Sequence, residues 1–358
     1  MAGNAVPCFF SFIAFFTKLF RTTMKRLTYI LRLLMTAVLL LYVLQKVGMF
    51  DTAKRVELLV LLRSVSIPLL LLSFFVSFLL NLSSAFKWYL LLRSRGVEVS
   101  FFRSWALYMI GIFFSLFLPT SMGGDLIRIH ELGKITGKRA EAAASVFIER
   151  FSGMVILFLL TIVALFMQRE LLSVAWMTVS LLVAVTASGG LIWVIVDERP
   201  YRFLTKLLSG RVVFVDKILS KLDKLHGAVV EYRDDRSALF IALLNTFVFY
   251  FLAVLNVYVT ALAFSTEIQF LDTLVAVPLI MFIMNLPISI GGIGLMEFAF
   301  VFIFEITGYS GALALSTALL MRIKTFFDAG LGGVLYPLLS RKTSGAAKIK
   351  PEGVGSEE

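Results

Sequence analysis

Leu118-Pro119-Thr120-Ser121-Met122-Gly123-Gly124 reads LPxxxGG, and so does Leu286-Pro287-Ile288-Ser289-Ile290-Gly291-Gly292. Each copy interrupts an apolar run where a helix would otherwise continue. Proline removes a backbone donor and clashes with the preceding turn. Glycines such as Gly123, Gly124, Gly291, Gly292 and Gly294 tolerate backbone geometries that other residues avoid. In lipid, a broken backbone is tolerable only where it is buried in protein or lines a wet cavity. Two interrupted apolar segments at corresponding places of two halves are the strongest sequence pointer to a transporter's binding site.

The surrounding composition requires a membrane. The chain has 358 residues, of which 59% are hydrophobic, and its mean hydropathy is +0.92. A soluble domain is nearer about 45–50% apolar. Several runs reach the roughly 20 residues that cross a bilayer. The formal charge of +11 falls at the ends of apolar runs. That pattern fits the positive-inside bias and contact with anionic lipid headgroups, not nucleic acid. Cys8 is the only cysteine, and His130 and His226 are the only histidines. No HExxH or CxxC spacing occurs, so no metal site and no cofactor are expected.

Taken in order, residues 1–28 form an interfacial segment, or translation begins at Met24. A first membrane half covers 29–196, with spans over 29–47, 66–86, 142–167 and 172–196. On this reading Lys87 begins a cytoplasmic loop, and Trp88, Tyr89 and Trp105 suit an interface belt. Between 105 and 127 the run before the first LPxxxGG is too short to cross, and both its flanks are basic. It is expected to enter from the inside and return. Residues 197–236 carry nine Lys and Arg among apolar residues at helical spacing. They read as a basic amphipathic helix on the inner leaflet, or as a solvated linker helix. A second half, 237–340, holds spans over 238–263 and 312–339 and a re-entrant segment over 270–296, now from outside. Residues 341–358 read as a disordered cytoplasmic tail.

The expected fold is therefore all-α and polytopic, with about six full spans and two re-entrant segments. The parts of 66–167 and 238–339 recur with opposite orientation, an inverted-topology repeat. Both termini are placed in the cytoplasm of a multi-pass protein of the cell (inner) membrane.

Candidate substrate-binding residues cluster at the breaks and inside the spans. Asp125 and Arg128 share a helix face at i, i+3. A helix starting near Gly124 would offer a positive dipole end, and Arg128 a planar fork, to a phosphate. In the second copy Ile293 takes the place of Asp125, and the first acid is Glu297, so the two breaks are expected to differ chemically. Glu149 and Arg150 lie inside one span, and Arg322, Lys324 and Asp328 at a comparable place in the last. Each such charge costs about 2.5–3.5 kcal/mol at a bilayer centre, so they face a partner or a cavity. Lys324 and Asp328, at i, i+4, are expected to share a face. Glu305 faces the cavity of Glu297 or the outer surface.

These pieces resemble a known family. Asn81, Phe86-Lys87-Trp88, Leu91-Leu92 and Gly96, then Phe117-Leu118-Pro119 with Gly123-Gly124-Asp125 and Arg128, then Glu149-Arg150, then Leu286-Pro287 with Gly291-Gly292-Ile293-Gly294 and Glu297, carry the likeness. The chain over roughly 25–340 resembles the lysylphosphatidylglycerol synthase transmembrane-region family, whose members are called flippase-like. In bifunctional relatives a soluble aminoacyltransferase domain follows; here that activity is expected to be absent. The resemblance implies movement of a lipid between leaflets, without fixing which lipid. The partners implied are membrane lipids with anionic headgroups and no nucleic acid, with a homo-oligomer left open. Two rivals stand beside this expectation. One is an integral-membrane transferase with Asp125 or Glu149 as general base. The other is a non-catalytic partner of a lipid-modifying enzyme.

Overall fold

The computed structural model describes residues 30–31, 33–49, 51–117, 123–167, 174–196, 199, 223, 226–232, 235–265, 267–286, 288–289 and 291–346. Among these residues there are helices and no strands. In chain order they are α1 (Leu33–Lys46), α2 (Thr52–Arg63), α3 (Ile67–Ser94), α4 (Phe101–Phe117), α5 (Gly123–Thr136), α6 (Arg139–Met167) and α7 (Ala175–Val196). After these come α8 (Arg236–Leu262), α9 (Phe270–Met284), α10 (Leu295–Ile306) and α11 (Gly311–Ala346).

By length and composition, α3, α6 and α8 can cross a membrane. Their surfaces say the same. On α3 the buried positions include Ser73, Ser77 and Ser84, while Leu71, Phe75 and Phe78 are exposed. On α8, Thr246, Asn256 and Thr260 are buried while Phe240, Phe247 and Phe251 face outward. Polar groups inside and apolar groups outside is the arrangement that lipid, not water, stabilises. Chain of multi-pass membrane character is thus written on the surface as well as in the hydropathy.

Two helical hairpins break the long-helix pattern. α4 stops at Phe117 and α5 starts at Gly123, and the two pack together. Pro119 lies between them, outside the described residues. α9 stops at Met284 and α10 starts at Leu295, and these also pack together. In this second turn Gly291, Gly292 and Gly294 all have positive φ, of 60°, 71° and 77°. L side chains rarely adopt that region, so the turn requires glycine there. Pro287 lies outside the described residues.

The packing is organised by α3 and α8. They run antiparallel along their lengths. At one end the Ser66 amide donates to the Ala263 carbonyl at 2.9 Å. At the other end Arg95 pairs with Asp235 at 3.1 Å. α4 packs on α11, and α9 on α6. α5 packs on α6, and α10 on α11. Glycines set the closest approaches. A Cβ on Gly124 would fall 1.9 Å from the Gly111 carbonyl oxygen, and one on Gly332 would fall 2.0 Å from that of Met109. Small residues that let backbones touch are the usual means of packing helices in lipid.

Three sequence expectations change. α3 does not end at Phe86 but continues to Ser94, so Lys87 and Trp88 are buried inside the bundle and not in a loop or belt. The apolar stretch before them is long enough that the helix carries both cytoplasm-like residues into the interior, where each finds partners. α11 continues past 340 to Ala346. Most of 197–236 lies outside the described residues, as do 1–28 and 347–358. The piece 226–232 is helical and packs inward through Ala228, Val229 and Tyr232 against Leu91, Ala144 and Ala238. The Tyr232 hydroxyl donates to the Leu91 carbonyl at 2.7 Å, and burial raises its phenol above the ordinary range.

The glycine contacts carry a test. Gly124→Ala is expected to destabilise by about 1–3 kcal/mol, the cost of overpacking, and to lower the melting temperature in detergent. Gly153→Ala should leave it unchanged, because a Cβ there meets nothing within 4 Å.

Candidate functional site

Two charged centres sit inside the bundle, one in each set of hairpin and flanking helices. The first gathers Asp125 and Arg128 of α5 with Glu149 and Arg150 of α6. Arg128 Nη2 lies 2.9 Å from Asp125 Oδ1 and 3.0 Å from Glu149 Oε2. Arg150 grips the other side of Asp125, with Nε to Oδ2 at 2.9 Å and Nη2 to Oδ1 at 2.9 Å. This bidentate fork is the strong form of an arginine–carboxylate pair. The guanidinium of Arg128 lies between two aromatic rings, 4.9 Å from the Trp88 centroid and 4.7 Å from that of Tyr108. The delocalised, weakly hydrated guanidinium suits such a slot. Trp88 is fixed in turn, its indole N–H donating to Ser145 Oγ at 3.0 Å.

The second centre joins α10 to α11. Arg322 Nε donates to Glu297 Oε1, and Nη2 lies 3.0 Å from Glu297 Oε2. Arg322 Nη2 also donates to the Gly292 carbonyl at 2.8 Å, so the arginine holds the glycine turn as well. Glu297 Oε2 accepts the Gly294 amide at 2.8 Å, capping the first turn of α10.

The two breaks nevertheless share one feature that the motif alignment does not show, an acid–arginine pair. Ile293 does occupy the place of Asp125, but Glu297, one helical turn further on, does the same work. In each centre the acid and arginine are 25 residues apart: Asp125 with Arg150, and Glu297 with Arg322. The acid and the arginine both moved one turn, so the pair survived a shift that motif alignment alone reads as loss.

The centres differ in exposure. The Arg150 side chain is 52% exposed, whereas that of Arg322 is 13%. At the second centre α1 lies along α10, with Thr36 and Leu39 beside Gly294. Tyr42 meets Phe298 edge-on at 5.5 Å, and Lys46 pairs with Glu305 at 3.2 Å. Glu305 thus serves that outer contact and not the cavity of Glu297.

Two buried lysines complete the interior. Lys87 Nζ donates to the Glu149 carbonyl at 3.1 Å, Ser152 Oγ at 3.4 Å and Thr246 Oγ1 at 3.1 Å. Lys324 Nζ donates to Asn256 Oδ1 and Thr260 Oγ1, both at 2.6 Å. Lys324 and Asp328 share a helix side but are not partners. Asp328 accepts from Asn81 Nδ2 at 2.8 Å and from Ser77 Oγ at 3.4 Å. The i, i+4 spacing made a pair geometrically available. The polar faces of α8 and α3 took one member each.

Lys87, Trp88, Tyr108, Asn81, Asn256 and Thr260 were not among the residues expected at a site. A signal for the first helix existed. Ser73, Ser77, Asn81, Ser84 and Trp88 recur every three or four residues, a polar stripe through an otherwise apolar span. Of the expected residues, Asp125, Arg128, Glu149 and Arg150 meet at one centre, and Glu297 and Arg322 at the other. Lys324 and Asp328 lie beside neither ion pair.

The pairing has an energetic consequence. Arg128→Met leaves two carboxylates short of a cation in a buried place and should cost about 3–5 kcal/mol, read as reduced thermal stability in detergent. Adding Glu149→Gln should recover part of that loss, because the stranded charge is then removed.

A sequence profile of the family described as "Lysylphosphatidylglycerol synthase TM region" matches residues 29–332. No curated protein matches the chain, and no solved structure matches it. The matched stretch takes in both hairpins, both charged centres and all of α3, α6 and α8. The chain belongs to the lysylphosphatidylglycerol synthase transmembrane-region family.

Proposed function

We propose that the chain is a lipid transporter. It moves a lipid with an anionic phosphate, such as a (glyco)phospholipid, a polyprenyl-linked lipid or an aminoacylated lipid, between the leaflets of the cell membrane. The observation that carries this reading is the twin acid–arginine pair. Each sits just after a glycine break and ties the second helix of a hairpin to the last helix of its set. Each has the same 25-residue spacing, yet one arginine is open and the other closed.

The helix contacts support two halves of inverted orientation, α3–α6 and α8–α11. Each packing pair in one half has its counterpart in the other: α4 on α11 with α9 on α6, and α5 on α6 with α10 on α11. The corresponding first helices, α3 and α8, run antiparallel, as inverted halves demand. Such repeats place a substrate near the membrane midplane, between broken helices. α4–α5 and α9–α10 are then the re-entrant segments, entering from the cytoplasmic and outer sides, with both termini in the cytoplasm.

In this reading the headgroup meets Arg150, the exposed member of the open centre, while the acyl chains stay in the bilayer. A phosphate competes with Asp125 for the Arg150 fork, and Arg128 keeps Asp125 ionised meanwhile. Arg128 itself is 2% exposed and positions these groups without reaching substrate. The transferase alternative needs a free carboxylate as base. Both Asp125 and Glu149 are held by arginine, which favours transport.

The test is leaflet exchange of fluorescent phospholipids in proteoliposomes. Wild-type protein should exchange them faster than empty vesicles. Arg150→Ala should slow exchange at least about tenfold, the loss of roughly 1.4 kcal/mol of binding to the moving headgroup, measured at a temperature where the variant, which also loses its fork to Asp125, is still folded. Equal rates for wild type and Arg150→Ala would contradict the assignment.

A further inference from the structure

The interior separates its cations by chemistry. Arg128, Arg150 and Arg322 each bind a carboxylate. Lys87, only 6% exposed, binds none among the described residues: its acceptors there are neutral oxygens, from α6 and α8. Those acceptors are arranged for an ammonium. Ser152 Oγ spends its own hydrogen on the Glu149 carbonyl and Thr246 Oγ1 spends its on the Ala242 carbonyl. Both hydroxyls therefore offer only lone pairs. Three hydrogens on Nζ meet three acceptors, two on α6 and one on α8.

Arginine cannot release a proton in a protein, whereas a lysine can. A path for one is present. A cavity of about 130 Å³ is lined by Lys87, Leu91, Ser94, Asp235, Ser237 and Ala242. It runs from the buried lysine toward the end of α3 where Arg95 and Asp235 pair. Much of its lining is apolar, and Ser94, Asp235 and Ser237 are its polar groups besides Lys87.

We propose that Lys87 is a proton-exchange site, reached by water through this cavity, whose protonation holds α3 to α6 and α8. On release, one Nζ–H leaves its protein acceptor and its proton passes to a water entering by the cavity, leaving a neutral amine and a hydronium ion. The amine has two hydrogens for three acceptors, so one tie among the three helices is lost. Because α8 belongs to the other half of the bundle, that tie is a contact between halves. Proton exchange would thereby offer the lipid reading an energy input. It rests on that reading for the cargo and for the division into halves, but not for the titration of Lys87.

The charges that act on Lys87 are Glu149 and Arg150 of α6 and Arg128 of α5. Asp235, at the start of α8, faces the same cavity and is held by Arg95. Glu149 is engaged by Arg128 and Asp125 by both arginines, so none of these carboxylates is a free rival for the proton. Tyr108, against Arg128, is a further group able to titrate nearby.

Trp88, the next residue on α3, reports on the helix. In the full chain carrying Trp105→Phe, Trp176→Phe and Trp193→Phe, in lipid nanodiscs, its fluorescence is followed from about pH 6 to about pH 10. With Lys87 present, a one-proton step is expected. Lys87→Arg, permanently charged, and Lys87→Met, permanently neutral, should both abolish it, and either alone serves if the other does not fold. A step that survives in these variants belongs to Tyr108 or another group and overturns the proposal, as does a flat titration with Lys87 present. The readout needs no lipid movement, so failure of the transport reading would leave it standing.

Discussion

A charge held away from water needs either a partner of opposite sign or a full set of hydrogen bonds, and at the two centres this constraint places the helices that matter. Asp125 cannot be inside the bundle without Arg128 and Arg150, and Glu149 cannot be there without Arg128. Satisfying them brings α5 against α6. The same demand at Glu297 brings α10 against α11 through Arg322, which also holds the Gly292 carbonyl in the break. In each case a hairpin too short to be anchored by hydrophobic length is fastened by a fork of charge-assisted hydrogen bonds.

Lipid supplies little force that drives one apolar helix onto another, so contact area and polar ties must do it. Here glycine provides the first: Gly124 lies on the backbone of Gly111, and Gly332 on that of Met109. Buried hydroxyls, amides and lysines provide the second, joining α3, α6, α8 and α11. The result is a polar interior inside an apolar surface. It is also a stiff one, except where a tie can be undone. The Arg150 side chain of one fork is half-exposed, as the proposed exchange for a phosphate requires. The Arg322–Glu297 fork is largely buried.

Much of this was legible before any coordinates. The repeated LPxxxGG located both hairpins, and charges placed in apolar runs located both centres. What the chain did not disclose was who pairs with whom. Aligning the two motifs set Ile293 against Asp125 and hid the equivalence of Glu297, because acid and arginine had moved together by one turn. Spacing put Lys324 and Asp328 on one face, but their partners Asn256, Thr260, Asn81 and Ser77 come from helices distant in sequence, and no local rule sees them. Lys87 was misplaced for a simpler reason. A cation after an apolar run ordinarily marks the end of a span, and only the polar stripe from Ser73 to Ser84 hinted that the helix continued inward. Pro119, Pro287 and most of 197–236 lie outside the described residues, and the expectations attached to them stand as they were.

The central claim is that two halves of opposite orientation face each other across the charged centres. The sidedness of two loops tests it most directly. In a Cys8→Ser background, Thr136→Cys reports the turn between α5 and α6, and Ser310→Cys the turn between α10 and α11. Labelling whole cells with a membrane-impermeant maleimide should modify Ser310→Cys at once and Thr136→Cys only after permeabilisation. Labelling of both from the same side would contradict the account.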